Sequence, residues 1–212
     1  MIMLQNRVDP FGQLIKTKAR GTWTGNCGVL HNHAQEILRP FKLKAWITCR
    51  LEFKGKKRPI MAPDRWTELF FLDEATAFAA GHRPCCECRR ADFNRFKQAW
   101  LKGNPEYNFS EKTSIREIDK TIHRERIGRD QSKITFDANP ADLPDGSFIL
   151  FNQSPFLVLD NKLFQWSPFG YEKEIAMPEI AQLPVLTPRS VVNAFRAGYL
   201  PTFAEFSCPR PP

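Results

Sequence analysis

The hydrophobic pattern in the first half of the chain favours strands separated by a basic turn. Residues 46–53 alternate apolar and polar positions and are rich in β-forming side chains, which predicts a strand. A basic turn follows, and residues 59–61 are the expected start of the return strand. The apolar run 69–72 predicts a short buried strand. Residues 1–40 hold few periodic apolar positions, so we expect an irregular arm there.

Capping residues and apolar stripes predict three helices after these strands. Asp73 can cap a short helix over 74–80, which Gly81 ends. A second helix is expected over 89–101, because its large apolar side chains fall on one face. A third helix begins at the capping box that starts with Ser114.

The second half of the chain carries the pattern of a small antiparallel sheet. Three short apolar runs, separated by turn residues, predict strands over 147–150, 156–159 and 163–166. Thr187 is the expected cap of a terminal helix that Gly198 ends.

These elements predict an α+β fold in two parts, because the sequence pattern changes after Asn139 from predicted helices to short strands separated by turns. The first part, residues 1–137, is a small α/β-hairpin module with an N-terminal arm and following helices. The second part, residues 138–212, is a small antiparallel β unit with a C-terminal helix.

Composition limits the classes of protein to which the chain can belong. Apolar residues make up 42% of its 212 residues and aromatic residues 12%, which argues against disorder. No run of eighteen apolar residues occurs, so no membrane span is expected. The N-terminus does not resemble a signal peptide. We therefore expect a cytoplasmic protein of bacterial type.

The charge is divided unevenly along the chain. Residues 1–60 carry twelve Lys and Arg against three acidic residues, a net charge of +9. Residues 137–188 carry two Lys against seven acidic residues, a net charge of −5. The basic half predicts a polyanionic partner, of which nucleic acid is the commonest. The alternative is a basic surface that contacts only water.

The cysteines favour a metal site over disulfides. Three of the six cysteines lie within residues 85–88. The sequence carries no export signal that would indicate an oxidising compartment, where disulfides form. Cys85 and Cys88 form a C-x-x-C pair, whose tight turn can direct two thiolates at one tetrahedral ion. Cys86, between them, is not an expected ligand. A thioredoxin-like redox pair normally follows a strand of a βαβ unit, whereas this pair follows a helix, a Gly and an Arg-Pro.

The segment around this pair resembles the second half of the zinc module of the Ada DNA-repair family, which acts on methyl phosphotriesters. The resemblance is carried by Ala80-Gly81-His82-Arg83-Pro84-Cys85-x-x-Cys88 and by the preceding run from Glu74, which is two residues longer than in the family. His82 stands where the family has an aromatic residue. The similarity covers roughly residues 45–92. It implies Zn²⁺ held by four cysteines, one of which accepts a methyl group from a methylated DNA phosphate.

The first cysteine pair of that family, C-x-x-x-C, is missing here. Cys49 is the best match to one of its members, since position 45 is Ala and position 53 is Phe. The fourth ligand must therefore lie elsewhere, and the candidates are Cys27, His31 and His33. We rank His31 first, so the predicted metal ligands are Cys49, Cys85, Cys88 and His31.

This ligand set favours a structural zinc ion over an enzyme. Four thiolates around Zn²⁺ give the site a net charge of −2, which drives methyl transfer. Replacing one thiolate by a neutral imidazole reduces this charge to −1 and makes the remaining sulfurs less nucleophilic. Two enzymatic alternatives remain, a methyl acceptor at Cys49 and a deaminase-like or hydrolase-like zinc site. The deaminase pattern H-x-E fails, because His33 and Glu36 are one residue too far apart. A plain protein-interaction module is the third possibility.

The sequence therefore predicts a zinc protein that binds nucleic acid, DNA above all, through its phosphates. The expected contacts are the basic residues of the turn and those flanking the cysteine pair. They are Lys54, Lys56, Lys57, Arg58, Arg83, Arg89 and Arg90.

Overall fold

The computed structural model describes residues 3–55 and 59–204. Two six-stranded sheets and four α-helices make up this part of the chain, which confirms the predicted α+β class. None of its helices is both long and apolar enough to cross a membrane. Three of the predicted contact residues, Lys56, Lys57 and Arg58, lie outside the described residues.

The first sheet contains strands that the sequence did not predict. Its six strands are β1 (Gln5–Val8), β2 (Leu14–Lys16), β3 (Trp23–Asn26), β4 (Ile47–Cys49), β5 (Leu69–Phe71) and β6 (Arg83–Pro84). They lie in the order β2-β1-β5-β3-β4-β6. The predicted irregular arm is therefore wrong. Its strands are short, and β3 is ordered by pairing on both sides with strands distant in sequence, β4 and β5.

The strand predicted over 46–53 is shorter than expected, and the return strand over 59–61 is absent. The backbone N–H of Arg50, just beyond β4, donates to the sulfur of Cys88 instead of to a neighbouring strand. Met61 has a φ of +50°, and its N–H donates to the Glu68 carboxylate at 2.8 Å. In both segments a backbone N–H group therefore donates to a side chain, whereas the prediction assumed hydrogen bonds to a neighbouring strand.

The predicted helices are present. They are α1 (Glu74–Ala79), α2 (Arg90–Gly103), α3 (Ile115–Arg126) and α4 (Arg189–Arg196). Asp73 caps α1 as expected, because its carboxylate accepts the N–H of Thr76 at 2.8 Å. The prediction that Thr187 caps α4 is wrong. Its hydroxyl accepts the N–H of Phe148, so it joins the helix start to the second sheet.

The second sheet is antiparallel throughout, as the sequence indicated. Its strands are β7 (Phe136–Ala138), β8 (Phe148–Phe151), β9 (Ser154–Leu159), β10 (Lys162–Ser167), β11 (Gly170–Ala176) and β12 (Leu183–Val185). They lie in the order β11-β10-β9-β8-β12-β7.

Helix α1 is buried along its whole length and contacts three parts of the core. Ala77 packs in the cluster beneath the first sheet. Phe78 packs among the side chains of α2, α3 and α4. Ala75 and Ala79 pack against the second sheet. A shared core therefore crosses the predicted boundary near residue 138.

Two buried carboxylates at the start of α1 extend these contacts with hydrogen bonds. Asp73 accepts the hydroxyl of Tyr171 on β11 at 2.6 Å and the N–H of Ala204 at 3.0 Å. Burial raises the pKa of the Asp73 carboxyl, and the bond from Tyr171 opposes that rise. Asp73 thus joins α1 to the second sheet and to the C-terminal segment.

Glu74, the next residue, joins the same C-terminal segment to the start of α2. Its Oε1 accepts the Arg89 guanidinium and the hydroxyl of Tyr199, and its Oε2 accepts the N–H of Thr202 at 3.0 Å. The side chains of Arg89 and Glu74 are 1% and 2% exposed, so this ion pair is shielded from solvent. Removing one partner of such a pair leaves an unpaired buried charge.

Glu74→Gln is therefore expected to lower the free energy of unfolding by about 3 kcal/mol, because the buried Arg89 then keeps only the partly exposed Asp92 as a counter-ion. Urea denaturation provides the measurement. The matched control is Glu117→Gln, which breaks an exposed ion pair with Lys120 and should change stability by less than about 0.5 kcal/mol. Equal effects of the two substitutions would contradict the importance assigned to Glu74.

Candidate metal centre

Parallel strand pairing brings Cys49 and Cys85 together. Strands β4 and β6 pair with Thr48 beside Pro84, and the N–H of Cys85 donates to the carbonyl of Thr48 at 2.9 Å. Cys49 follows Thr48, and Cys85 follows Pro84, so the two cysteines lie side by side. The register thus explains how a residue 36 positions upstream reaches the C-x-x-C turn.

The turn that carries Cys85 and Cys88 leads directly into α2. Backbone N–H groups of Glu87, at 3.4 Å, and of Cys88 donate to the sulfur of Cys85, while that of Arg50 donates to Cys88. Hydrogen bonds of this kind and the N-terminus of a helix both favour the thiolate over the thiol. The backbone of the turn therefore stabilises the ionised form that metals bind.

The three sulfur atoms of Cys49, Cys85 and Cys88 all lie within 4.8 Å of one another. Three sulfurs on one tetrahedral ion at 2.3 Å would be about 3.8 Å apart, so small side-chain adjustments bring them around a metal. Cys85 is buried and the other two are partly exposed. All five cysteines in the described part of the chain are free thiols. This group can therefore hold a metal ion.

The thiols perturb one another strongly. A hydrogen bond from Cys49, with those from the turn backbone, lowers the pKa of Cys85 to about 5. The same bond and burial raise the pKa of Cys49, and burial raises the pKa of Cys88. Three thiolates cannot share this space without a cation, since like charges oppose each other's ionisation. The donor set thus suits a thiophilic cation.

The structure does not bring His31 to the three thiols. Its ring is buried, with Nδ1 at 2.7 Å from the hydroxyl of Thr67 and Nε2 at 3.2 Å from the carbonyl of Ala62. Within residues 3–55 and 59–204, no histidine or carboxylate joins the group of Cys49, Cys85 and Cys88. The described chain therefore supplies three ligands, where the sequence had indicated four.

The other two candidates for a fourth ligand lie elsewhere as well. Cys27 is buried in the core of the first sheet, where burial raises the pKa of its thiol to about 12. His33 is exposed and lies 3.3 Å from the carboxylate of Asp64.

Arg83, a predicted phosphate contact, is part of the protein interior. It is 4% exposed and binds Asp119 with two hydrogen bonds of 2.7 and 2.8 Å. Its guanidinium also lies 5.5 Å from the centre of the Phe93 ring. The prediction of a nucleic-acid contact at Arg83 is therefore corrected, because its donors face α3 and not solvent.

Arg89 requires the same correction. Besides Glu74, its guanidinium donates to the hydroxyl of Thr48 at 2.8 Å and to Asp92 at 3.0 Å, and it covers the ring of Trp23. The neighbouring carboxylates hold the pKa of Arg89 above its usual value in spite of burial. Arg89 fixes the cysteine turn to α1 and β4, and it has no surface for a phosphate.

Two of the predicted contacts, Lys54 and Arg90, are exposed. The loop from Arg50 to Trp66, between β4 and β5, also exposes Arg65 and the indole of Trp66, which is 51% accessible. Trp66 was not among the residues predicted from the sequence to contact nucleic acid. An aromatic residue directly after an Arg, in a stretch without strand or helix periodicity, is the signal that was available.

Comparison with models of protein families, with curated proteins and with solved structures finds no match to this chain. The function of the protein is therefore inferred from its own residues. The resemblance to the Ada zinc module stays a sequence-based prediction.

Replacing Cys49, Cys85 or Cys88 by Ser removes a metal ligand, so each substitution should abolish tight binding of a single metal ion per chain. Elemental analysis of protein purified without chelators measures this directly. Cys86→Ser is the matched control, since Cys86 is exposed in the same turn and lies outside the group.

His31→Asn should also leave the metal content unchanged, because its ring is bound to Thr67 and Ala62. Loss of metal from this variant would restore His31 as a ligand. A metal-free unmodified protein would refute the site as a whole.

Proposed function

We propose that the protein binds Zn²⁺ through Cys49, Cys85 and Cys88, and that the ion holds a basic loop that binds nucleic acid through its phosphates. The observation that carries the proposal is the convergence of three thiolates from two chain segments. Here "basic loop" means residues 50–66, which begin directly after Cys49.

The donor set favours zinc over other common ions. Thiolates are soft ligands that select Zn²⁺, Cu⁺ or iron–sulfur clusters, whereas Mg²⁺ and Ca²⁺ require oxygen ligands. Three thiolates around Zn²⁺ leave a net charge of −1, below the −2 of a four-thiolate site. Within the described chain, no carboxylate or imidazole in the group offers a general base for hydrolysis. The ion therefore has a structural role in this proposal.

The composition of the basic loop supports a polyanionic partner. It contains six basic residues and two acidic ones, and the described basic residues Arg50, Lys54 and Arg65 are exposed. The exposed Trp66 adds an aromatic surface on which an unpaired base can stack. Zinc at Cys49 fixes one end of this loop, and strand β5 fixes the other. Single-stranded nucleic acid fits this combination of charge and aromatic surface best.

Binding of a fluorescent oligonucleotide should weaken as salt rises from about 50 to 200 mM, with a log–log slope of about −0.7 per contact on a single strand. Combined substitution of Lys54 and Arg65 by Ala should make the slope less steep, by an amount that corresponds to up to two phosphate contacts. Trp66→Ala should weaken binding by about 1–3 kcal/mol and leave the slope unchanged, because a stacked base releases no counter-ion.

The matched control is Lys120→Ala, an exposed lysine on α3 outside the loop. Substituting Lys56, Lys57 and Arg58 together tests the centre of the basic turn in the same assay. Absence of binding at low salt would contradict the nucleic-acid part of the proposal. Equal effects of Lys120→Ala and the loop variants would contradict the loop as its location. Neither result would affect the metal content, which tests the zinc part separately.

A methyl acceptor at Cys49 is the second candidate, favoured by the partial exposure of this residue in the metal group. The thiolate would attack the methyl carbon of a DNA phosphotriester, forming an S–C bond as the C–O bond breaks and a phosphodiester anion leaves. Mass spectrometry after incubation with methyl-phosphotriester DNA would locate one added methyl group on Cys49. An unmodified Cys49 in zinc-loaded protein would exclude this candidate.

A further inference from the structure

A cleft of about 590 Å³ lies on the first sheet's side of the molecule, apart from the cysteine group. It is bordered by the turn between β1 and β2, by residues 37–40 and by the segment 126–133. Its volume is within the range of small-molecule sites in proteins. The apolar part of its lining is formed by Phe11, Leu14, Ile37, Leu38, Pro40, Trp46 and Ile127.

Two cations line the same cleft, Arg126, which is buried, and Lys133, which is partly exposed. Arg126, at the end of α3, is 3% exposed and donates to the carbonyls of Gly81 and Lys44. Its guanidinium lies 3.7 Å from the centre of the Trp46 ring, and its Nε has no hydrogen-bond partner. Lys133 donates to the carbonyl of Ala79 at the end of α1. These contacts satisfy donors but supply no negative charge.

No counter-ion compensates these charges in the described residues. Neither Arg126 nor Lys133 has a carboxylate within 4 Å there. The carboxylate of Asp9 acts on Lys133 from a distance, but it accepts backbone N–H groups of its own turn, including that of Gln13 at 2.8 Å. Asp119 acts on Arg126 in the same way, but it is hydrogen-bonded to Arg83. Buried charges without partners are costly, and they occur where a ligand supplies the opposite charge.

Two histidines close to these cations have lowered pKa values. Burial, together with Arg126 and Lys133, holds the pKa of His82 well below its usual value. Burial and Arg126 lower the pKa of His123 to about 4. Both imidazoles are therefore neutral at pH 7, and neither adds to the charge that a ligand would meet.

We propose that this cleft binds a small organic anion, a carboxylate or a phosphate monoester with an aromatic body, whose charge balances Lys133 and Arg126. The apolar lining accounts for the body of the ligand, and the uncompensated cations account for its charge. This site is independent of the metal group, so each can fail without the other.

Titration calorimetry with phenyl phosphate and benzoate provides the first test, with phenol and inorganic phosphate as the neutral and the bare-anion comparisons. Both aromatic anions should bind more tightly than either comparison. Lys133→Met should weaken binding about tenfold, the effect of one charged hydrogen bond. A phosphate-specific site would favour phenyl phosphate over benzoate, whereas a general anion site would bind both.

Two further variants locate the effect. Lys97→Met is the matched control, because Lys97 also donates to backbone carbonyls but lies on α2 outside the cleft lining. Leu38→Glu places a carboxylate at the exposed border of the cleft and should weaken anion binding without removing a core side chain. Equal binding of phenol and phenyl phosphate, or unchanged binding by Lys133→Met, would overturn the proposal.

The affinity for benzoate should also fall as the pH rises from 7 to 8. Burial, then Arg126, lowers the pKa of Lys133 to about 7, while Asp9 opposes this shift. The free protein thus loses the lysine proton above pH 7, and binding an anion requires its return. His82 is neutral and Asp9 is ionised across this range, and burial lowers the pKa of Arg126 only to about 9. Between pH 7 and 8, Lys133 is therefore the cleft cation that changes charge.

The total decline should not exceed about tenfold, the effect of losing the lysine charge, and it should disappear in Lys133→Met. A decline that persists in this variant would overturn the assignment of the charge to Lys133.

Discussion

The rest of the structure depends on two adjacent carboxylates buried where β5 passes into α1. Asp73 and Glu74 lie in the interior, where an ionised group is tolerated only when its oxygens are fully hydrogen-bonded. Their partners come from the second sheet, from the start of α2 and from the C-terminal segment. The hydrophobic core is continuous around α1, but these bonds determine which elements can lie beside it.

The candidate metal centre is built on the same arrangement. Register between β4 and β6 sets Cys49 beside Cys85, and the turn orients Cys88 with backbone donors. Arg89 then fixes that turn to Glu74, to β4 and to the ring of Trp23. The thiols are therefore close together because of protein contacts, and a metal would bind to a largely preformed group.

Local patterns in the sequence were sufficient for the helices, for the antiparallel sheet and for Cys85 and Cys88, since caps, periodicity and C-x-x-C are short-range signals. Cys49 was predicted from the resemblance to the Ada zinc module. The roles of Arg83 and Arg89 were not readable in this way. Their acidic partners Asp119 and Glu74 lie 36 and 15 positions away, and only the fold shows that the charges are neutralised. The strands of residues 1–40 were missed for a related reason, because their order comes from distant pairing.

The hydrogen bonds of the C-terminal segment have a consequence for biosynthesis. Glu74 and Asp73 leave the ribosome well before Tyr199, Thr202 and Ala204, which supply part of their final partners. Until those residues are made, Asp73 has Thr76 and Glu74 has Arg89 as a partner, but their remaining acceptor positions can bind only water. The start of α1 therefore cannot be permanently buried. The interior of the first half is thus completed only when residues 199–204 have been synthesised and bind these two carboxylates.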